Sequence, residues 1–138
     1  PPELVFDVGL GDIFVVRTAG QALDPTDIGS IEYAVAHLGT SLIVVLGHQS
    51  CGAVAAAVSG ANETGNIPNV LKAINPAVAE TKSQPGDPVD NAVRANAVDV
   101  AKHLQTTGPI MPSHVQSGKL RIIPARYDLD SGKVELLK

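Results

Sequence analysis

Unbroken aliphatic runs alternate along this chain with stretches in which apolar residues recur every three or four positions, and turn or cap residues mark the boundaries. PPELVFDVGLGD, at the start, sets prolines ahead of Glu3 and stops by Gly9, which predicts a short opening helix. IFVVRTA, residues 13–19, is β-branched and nearly continuous in apolar character, the pattern of a strand covered on both faces. In DPTDIGSIEYAVAHLG, Asp24 suits an N-cap and Pro25 the first helical position. Ile28, Ile31, Val35 and Leu38 then fall on one helical face, closed by Gly39. SLIVVLG, residues 41–47, is a second strand of the buried kind, and CGAVAAAVSG reads as a helix ended by Gly60.

Two successive strand–helix units with short loops predict parallel βαβ winding. Residues 61–86 are less regular, with a helical patch, NVLKAINPAVAETK, broken or kinked at Pro76. DPVDNAVRANAVDVAKHLQTTGP is a clearer helix, carrying Val93, Ala97, Val100, Ala101 and Leu104 on one stripe. A helical turn around Met111 to Val115 follows, and then KLRIIPARYDL and KVELL flank DSG as a hairpin. No repeat or linker interrupts the pattern. The expectation is one α/β domain over residues 1–138, with a central, mostly parallel β-sheet flanked by helices.

Composition narrows what such a domain does. At 138 residues, 44% apolar and 17% charged, the chain can bury a core of its own, built from aliphatics because aromatics make up only 3%. Ten basic against fourteen acidic residues give a net charge of −4 with no basic block, which argues against nucleic acid as a partner. No apolar run approaches the roughly 20 residues that span a bilayer, so no membrane partner is expected. A single Cys forms no internal disulfide, and a cytoplasmic location is expected, an organellar interior fitting equally well.

That Cys is also where candidate chemistry begins. VVLGHQSCGAV puts His48 and Cys51 where a strand ends and a helix starts, the edge at which loops of an open α/β sheet converge. Two intervening residues allow an imidazole nitrogen and a sulfur to reach one ion at about 2.0 and 2.3 Å. The start of a helix also favours thiolate, the form that binds metal. Against this, a free Cys is among the most buried residue types, and a turn His more often hydrogen-bonds at the surface than ligates. Two ligands do not complete a zinc site, which needs at least three from protein.

GLGDIFVVRTAGQ, GSIEYAVAHLGTSLIVVLGHQSCGAVAAAV and SGKLRIIPARYDLDSGKVELL together resemble β-class carbonic anhydrases over nearly the whole chain, least across residues 60–92. The resemblance implies zinc held by two Cys and one His, with His48 and Cys51 matching the His and the second Cys. It implies reversible hydration of CO2 to bicarbonate by a metal-bound hydroxide, the zinc lowering the pKa of its water towards about 7. The family's first ligand lies in a Cys-x-Asp-x-Arg element that would end about where Pro1 begins, and this chain has no such element. Two thiolates and an imidazole cancel the charge of zinc, so an acceptor for the water's proton, the role of that element's Asp, matters more.

Further expectations follow from the resemblance. Gly52, Val8 and Gly9 are the candidate substrate-side residues, with Gly9, Gly11 and Gly52 otherwise read as turn glycines of unusual φ. Arg126 and Tyr127 resemble a position that some relatives use for regulatory bicarbonate, although an ordinary strand Tyr accounts for them as well. His37, His103 and His114 read as surface residues near helix C-termini. The chain opens on Pro1 rather than Met and is expected to be trimmed of its N-terminal arm, which would impair it as it is written. A homodimer, or a tetramer built from dimers, is expected, weakened or exposing apolar surface without the arm. The alternatives are a non-catalytic binding or structural relative, and a hydrolase of a CO2 analogue such as CS2 or COS.

Overall fold

The structure, a computed structural model, describes all of residues 1–138. Its elements run α1 (Pro2–Phe6), a 3₁₀ turn at Ala19–Gln21, α2 (Pro25–His37), β1 (Leu42–His48), α3 (Gly52–Ser59), α4 (Ile67–Thr81), α5 (Pro88–Thr106), α6 (Ile110–Gln116), β2 (Arg121–Tyr127) and β3 (Val134–Leu136). The α/β class holds: a single sheet of order β1-β2-β3 lies against helices. β1 runs parallel to β2 from Leu42↔Arg121 to His48↔Tyr127, and β3 returns antiparallel, as the DSG turn predicts. No helix is long and apolar enough to cross a membrane.

The strand expected over residues 13–19 does not form. Residues 13–18 make no backbone hydrogen bond within the chain, and Phe14 and Val15 are 50% and 41% exposed. An aliphatic run gains strand structure only from a neighbour to pair with, and none lies alongside it. The parallel pairing is therefore between residues 42–48 and 121–127, joined by a long crossover through α3 to α6, rather than between the first two aliphatic runs.

α5 organises the interior. On one side Ala97, Ala101 and Leu104 pack with Val35, Val45, Met111, Leu120 and Ile122, joining α2 and α6 to the sheet. On the other, Ala92 and Val93 pack with Cys51, Val54, Ala57, Leu71 and Ile74 of the α3–α4 side. Val100, expected on the buried stripe, is partly buried, and Leu38 caps α2 while 55% exposed. α4 continues through Pro76 as one helix, with the proline exposed to solvent.

Two devices set element ends, one at a helix and one at a strand. Asp24 forms a full capping box on α2, its carboxylate accepting from Thr26 and Asp27 N–H while Asp27 accepts from the Asp24 N–H. Pro124 lies in the middle strand, yet its carbonyl accepts from Leu137 N–H on the β3 side. Backbone N and O of one strand residue face the same edge, so the missing donor lies beyond the Ala125↔Leu136 pair where that ladder already ends. The proline thus shortens β3 and leaves the β1–β2 ladder whole.

Candidate metal centre

His48 is the last residue of β1 and is half-buried; Cys51 is the N-cap of α3 and is buried, one face of it in the α3–α4 core. Between them Gln49 and Ser50 form a tight turn in which Ser50 takes φ 56°, the left-handed region that costs a non-glycine residue. Gly47 lets this turn sit close to α5, since a Cβ there would meet Val93 Cγ1 at 2.9 Å. Gln21, from the 3₁₀ turn, donates to the Leu46 carbonyl at 2.9 Å and is itself approached by the buried Asn96 amide at 3.3 Å.

The His48 ring has a defined orientation. Its Nδ1 lies 2.9 Å from the Gln49 carbonyl oxygen. A carbonyl only accepts, so the contact assigns the proton to Nδ1 and leaves the Nε2 lone pair for another partner. Cys51 caps α3 without any side-chain hydrogen bond, its sulfur left for other chemistry at the positive end of the helix dipole. These are the donor types a borderline-soft divalent ion accepts. No group of three or more His, Cys, Asp or Glu side chains that could hold a metal ion is found in residues 1–138, so His48 and Cys51 stand as a candidate pair without a third such side chain beside them.

Of the substrate-side candidates, Gly52 is the first residue of α3, exposed beside Cys51. Val8 and Gly9 lie in the segment after α1, where the Gly9 N–H donates to Asp12 at 2.7 Å, and neither hydrogen-bonds to His48 or Cys51. Only Gly11, at φ 89°, adopts the unusual backbone expected of the three glycines. His37 and His103 are exposed as expected, whereas His114 is half-buried with Nδ1 2.9 Å from the Ile110 carbonyl.

A polar network beside the site went unseen in the sequence. Arg126 is buried, its Nε 2.5 Å from Asp90 Oδ1 and its Nη1 3.0 Å from Asp128 Oδ2. Arg94 joins Asp90 at 2.8 Å and grips Glu135 through two bonds of 2.9 and 2.8 Å. Burial pushes the Asp90 carboxyl up, but the two guanidinium groups outweigh it and hold it below the ordinary range. Hydrogen bonds from the Ser131 backbone and hydroxyl, then Arg126, bring Asp128 down to about 2. The i,i+4 spacing of Asp90 and Arg94 was the one signal of this network along the chain.

A family model described as carbonic anhydrase matches residues 1–134. The chain belongs to the carbonic anhydrase family. Carbonic anhydrase 2 of Mycobacterium tuberculosis is 38% identical, the match covering 97% of this chain and 67% of that protein, and the carbonic anhydrase of Mycolicibacterium smegmatis has the same identity and coverage. The chain thus spans about two-thirds of the length of these relatives. A structure reported with two tetrameric β-carbonic anhydrases from Sordaria macrospora superimposes with a TM-score of 0.88 at 25% identity, over 99% of this chain and 74% of that one. The β-carbonic anhydrase CafA of Aspergillus fumigatus gives 0.85 at 25% identity, over 100% of this chain and 69% of that one. The fold is that of the β class, and the family is one of enzymes.

Proposed function

We propose that this chain is the catalytic body of a zinc-dependent carbonic anhydrase that interconverts CO2 and bicarbonate. The observation that carries the reading is the pair at the end of β1: an imidazole locked with Nε2 free, and a thiol three residues on at the start of α3. Relatives named carbonic anhydrase over 97% of the chain support it. When bound, zinc supplies a Lewis acid that acidifies water to a nucleophile near neutral pH. His48 holds the metal by Nε2 while its Nδ1–H stays on the Gln49 carbonyl; Cys51 holds it as the thiolate, next to the amide end of α3. Gly52, Val8 and Gly9 form the substrate side, where a small apolar molecule needs close backbone and aliphatic walls more than charge. The remaining ligand, and an acceptor for the proton of the reacting water, come from outside residues 1–138.

The protein works as a homodimer or a dimer of dimers, in which a second copy covers Leu4, Leu10, Phe14 and Val15, all exposed in the single chain. The decisive experiment measures zinc content and CO2 hydration of the whole polypeptide that contains this chain, and of His48→Ala and Cys51→Ser in it. Each substitution is expected to cost more than the about 10–100-fold typical of losing a partner behind a ligand. Retention of stoichiometric zinc and full rate by both variants would refute the reading. Residues 1–138 alone are expected to hold substoichiometric zinc and to hydrate CO2 negligibly, because one imidazole and one thiolate leave the site short of the three protein ligands a catalytic zinc needs. A whole polypeptide that also binds no zinc would instead favour a non-catalytic relative using the same fold.

A further inference from the structure

Gln49, between the two proposed ligands, is held at both ends. Its backbone N–H donates to the Tyr127 carbonyl at 2.9 Å, and its own carbonyl receives the His48 Nδ1–H. Its side chain reaches the turn between β2 and β3, where Oε1 accepts from the Leu129 N–H at 2.8 Å and Nε2 donates to Asp130 Oδ2 at 2.8 Å. That turn is itself fastened, since Asp128 Oδ1 accepts from both the N–H and the hydroxyl of Ser131 at 2.8 Å and Asp128 Oδ2 accepts from the buried Arg126.

The carbonyl that orients His48 belongs to the peptide joining Gln49 to Ser50, and Ser50 sits on its other side at φ 56°. A peptide next to a non-glycine residue in the left-handed region is prone to turn over, because rotation relieves that residue and carries the carbonyl away. With one end of Gln49 tied to β2 and its side chain tied to the following turn, such rotation is opposed. We propose that Gln49 is a positioning residue for the metal centre, its clamp on Leu129 and Asp130 fixing the Gln49–Ser50 peptide and with it the orientation and tautomer of His48. The proposal rests on His48 being a metal ligand, as argued above, and adds that the hairpin turn, far away in sequence, sets how that ligand is presented. Partners that orient a ligating imidazole from behind commonly govern metal affinity.

The test uses the whole polypeptide, with Gln49→Leu removing both clamp bonds, Asp130→Ala removing one at an exposed position that endangers folding least, and Asp130→Asn keeping the acceptor. Long-range ¹H–¹⁵N spectra of the imidazole, taken metal-free at alkaline pH, read the tautomer; titration with Co²⁺ reads affinity. Wild type is expected to show the Nδ1–H form at His48, and Gln49→Leu an averaged pattern with Co²⁺ binding about tenfold weaker. Asp130→Ala should move both readouts part of the way, and Asp130→Asn should restore them. An unchanged Nδ1–H pattern in Gln49→Leu and Asp130→Ala, with affinity within about twofold of wild type, a spread well inside the range for such partners, would overturn the proposal. Tautomer averaging in Gln49→Leu in a protein that binds no Co²⁺ would uphold the clamp and sink the ligand reading alone.

Discussion

Gly47 precedes His48 and has no room for a side chain: a Cβ would stand 2.9 Å from Val93 Cγ1 and 3.4 Å from the Val93 carbonyl. Gly47→Ala is therefore expected to push α5 off the end of β1 and cost about 1–3 kcal/mol, the range for overpacking a dense interior; urea denaturation of the two proteins checks it. At Asp128 the effect is one of acidity. Its folded pKa is about 2, below the ordinary 3.8, so it stabilises the fold fully above the ordinary value and loses that contribution as pH falls from about 4 to 2. Asp90 and Glu135 are lowered too, by Arg94 and Arg126, and act in the same direction. The melting temperature should be flat just above this window and drop within it, and Asp128→Asn should flatten the drop. At this scale the sequence places His48 at the end of a strand and Cys51 at the start of a helix, as the structure has them, because both signals are local. The partnerships of Gln49 and Arg126 stayed hidden: Asp130 and Asp90 are 81 and 36 positions away, and no local spacing announces such a contact.

Elements were legible where their own residues pay the cost of ordering them. Asp24 and Pro25 predict α2 to its first residue, because a capping box is complete within four positions, while the stripe from Ile28 to Leu38 runs one residue past the helix onto its exposed cap. Asp24→Ala is expected to cost about 1–2 kcal/mol, seen as a lower midpoint in thermal melts without a change in helix content at low temperature. α3 and its Gly60 cap, α5, α6 and the closing hairpin were equally readable. Residues 13–19 were misread because an aliphatic run reports only a need for cover; whether it becomes a strand depends on a neighbour, which no local pattern contains. Pro76, expected to break or kink α4, does not break it. An exposed proline removes one hydrogen bond without ending the helix when both sides of it are packed, as Ile74 and Ala77 are here.

Taken whole, the molecule leaves its first eighteen residues thinly attached. α1 buries no residue, and Leu4 and Leu10 are 78% and 94% exposed. Isolated apolar side chains are ordinary on a surface, but a segment rich in them that also makes no backbone ladder is what a second copy would cover. Sedimentation of the whole polypeptide is expected to give a dimer or larger, and Phe14→Asp with Val15→Asp to shift it towards monomer; a wild-type monomer throughout the micromolar range would contradict this. The register of the parallel pair has a separate consequence for the time course of self-assembly. Leu42 meets Arg121 only after a loop holding four of the six helices has closed, and the entropy of that closure falls due before the ladder returns anything. The strand bearing His48 is thus docked late: on refolding, helical signal should appear in an early phase, and the local environment of Tyr127, the partner of His48, should mature in a slower one.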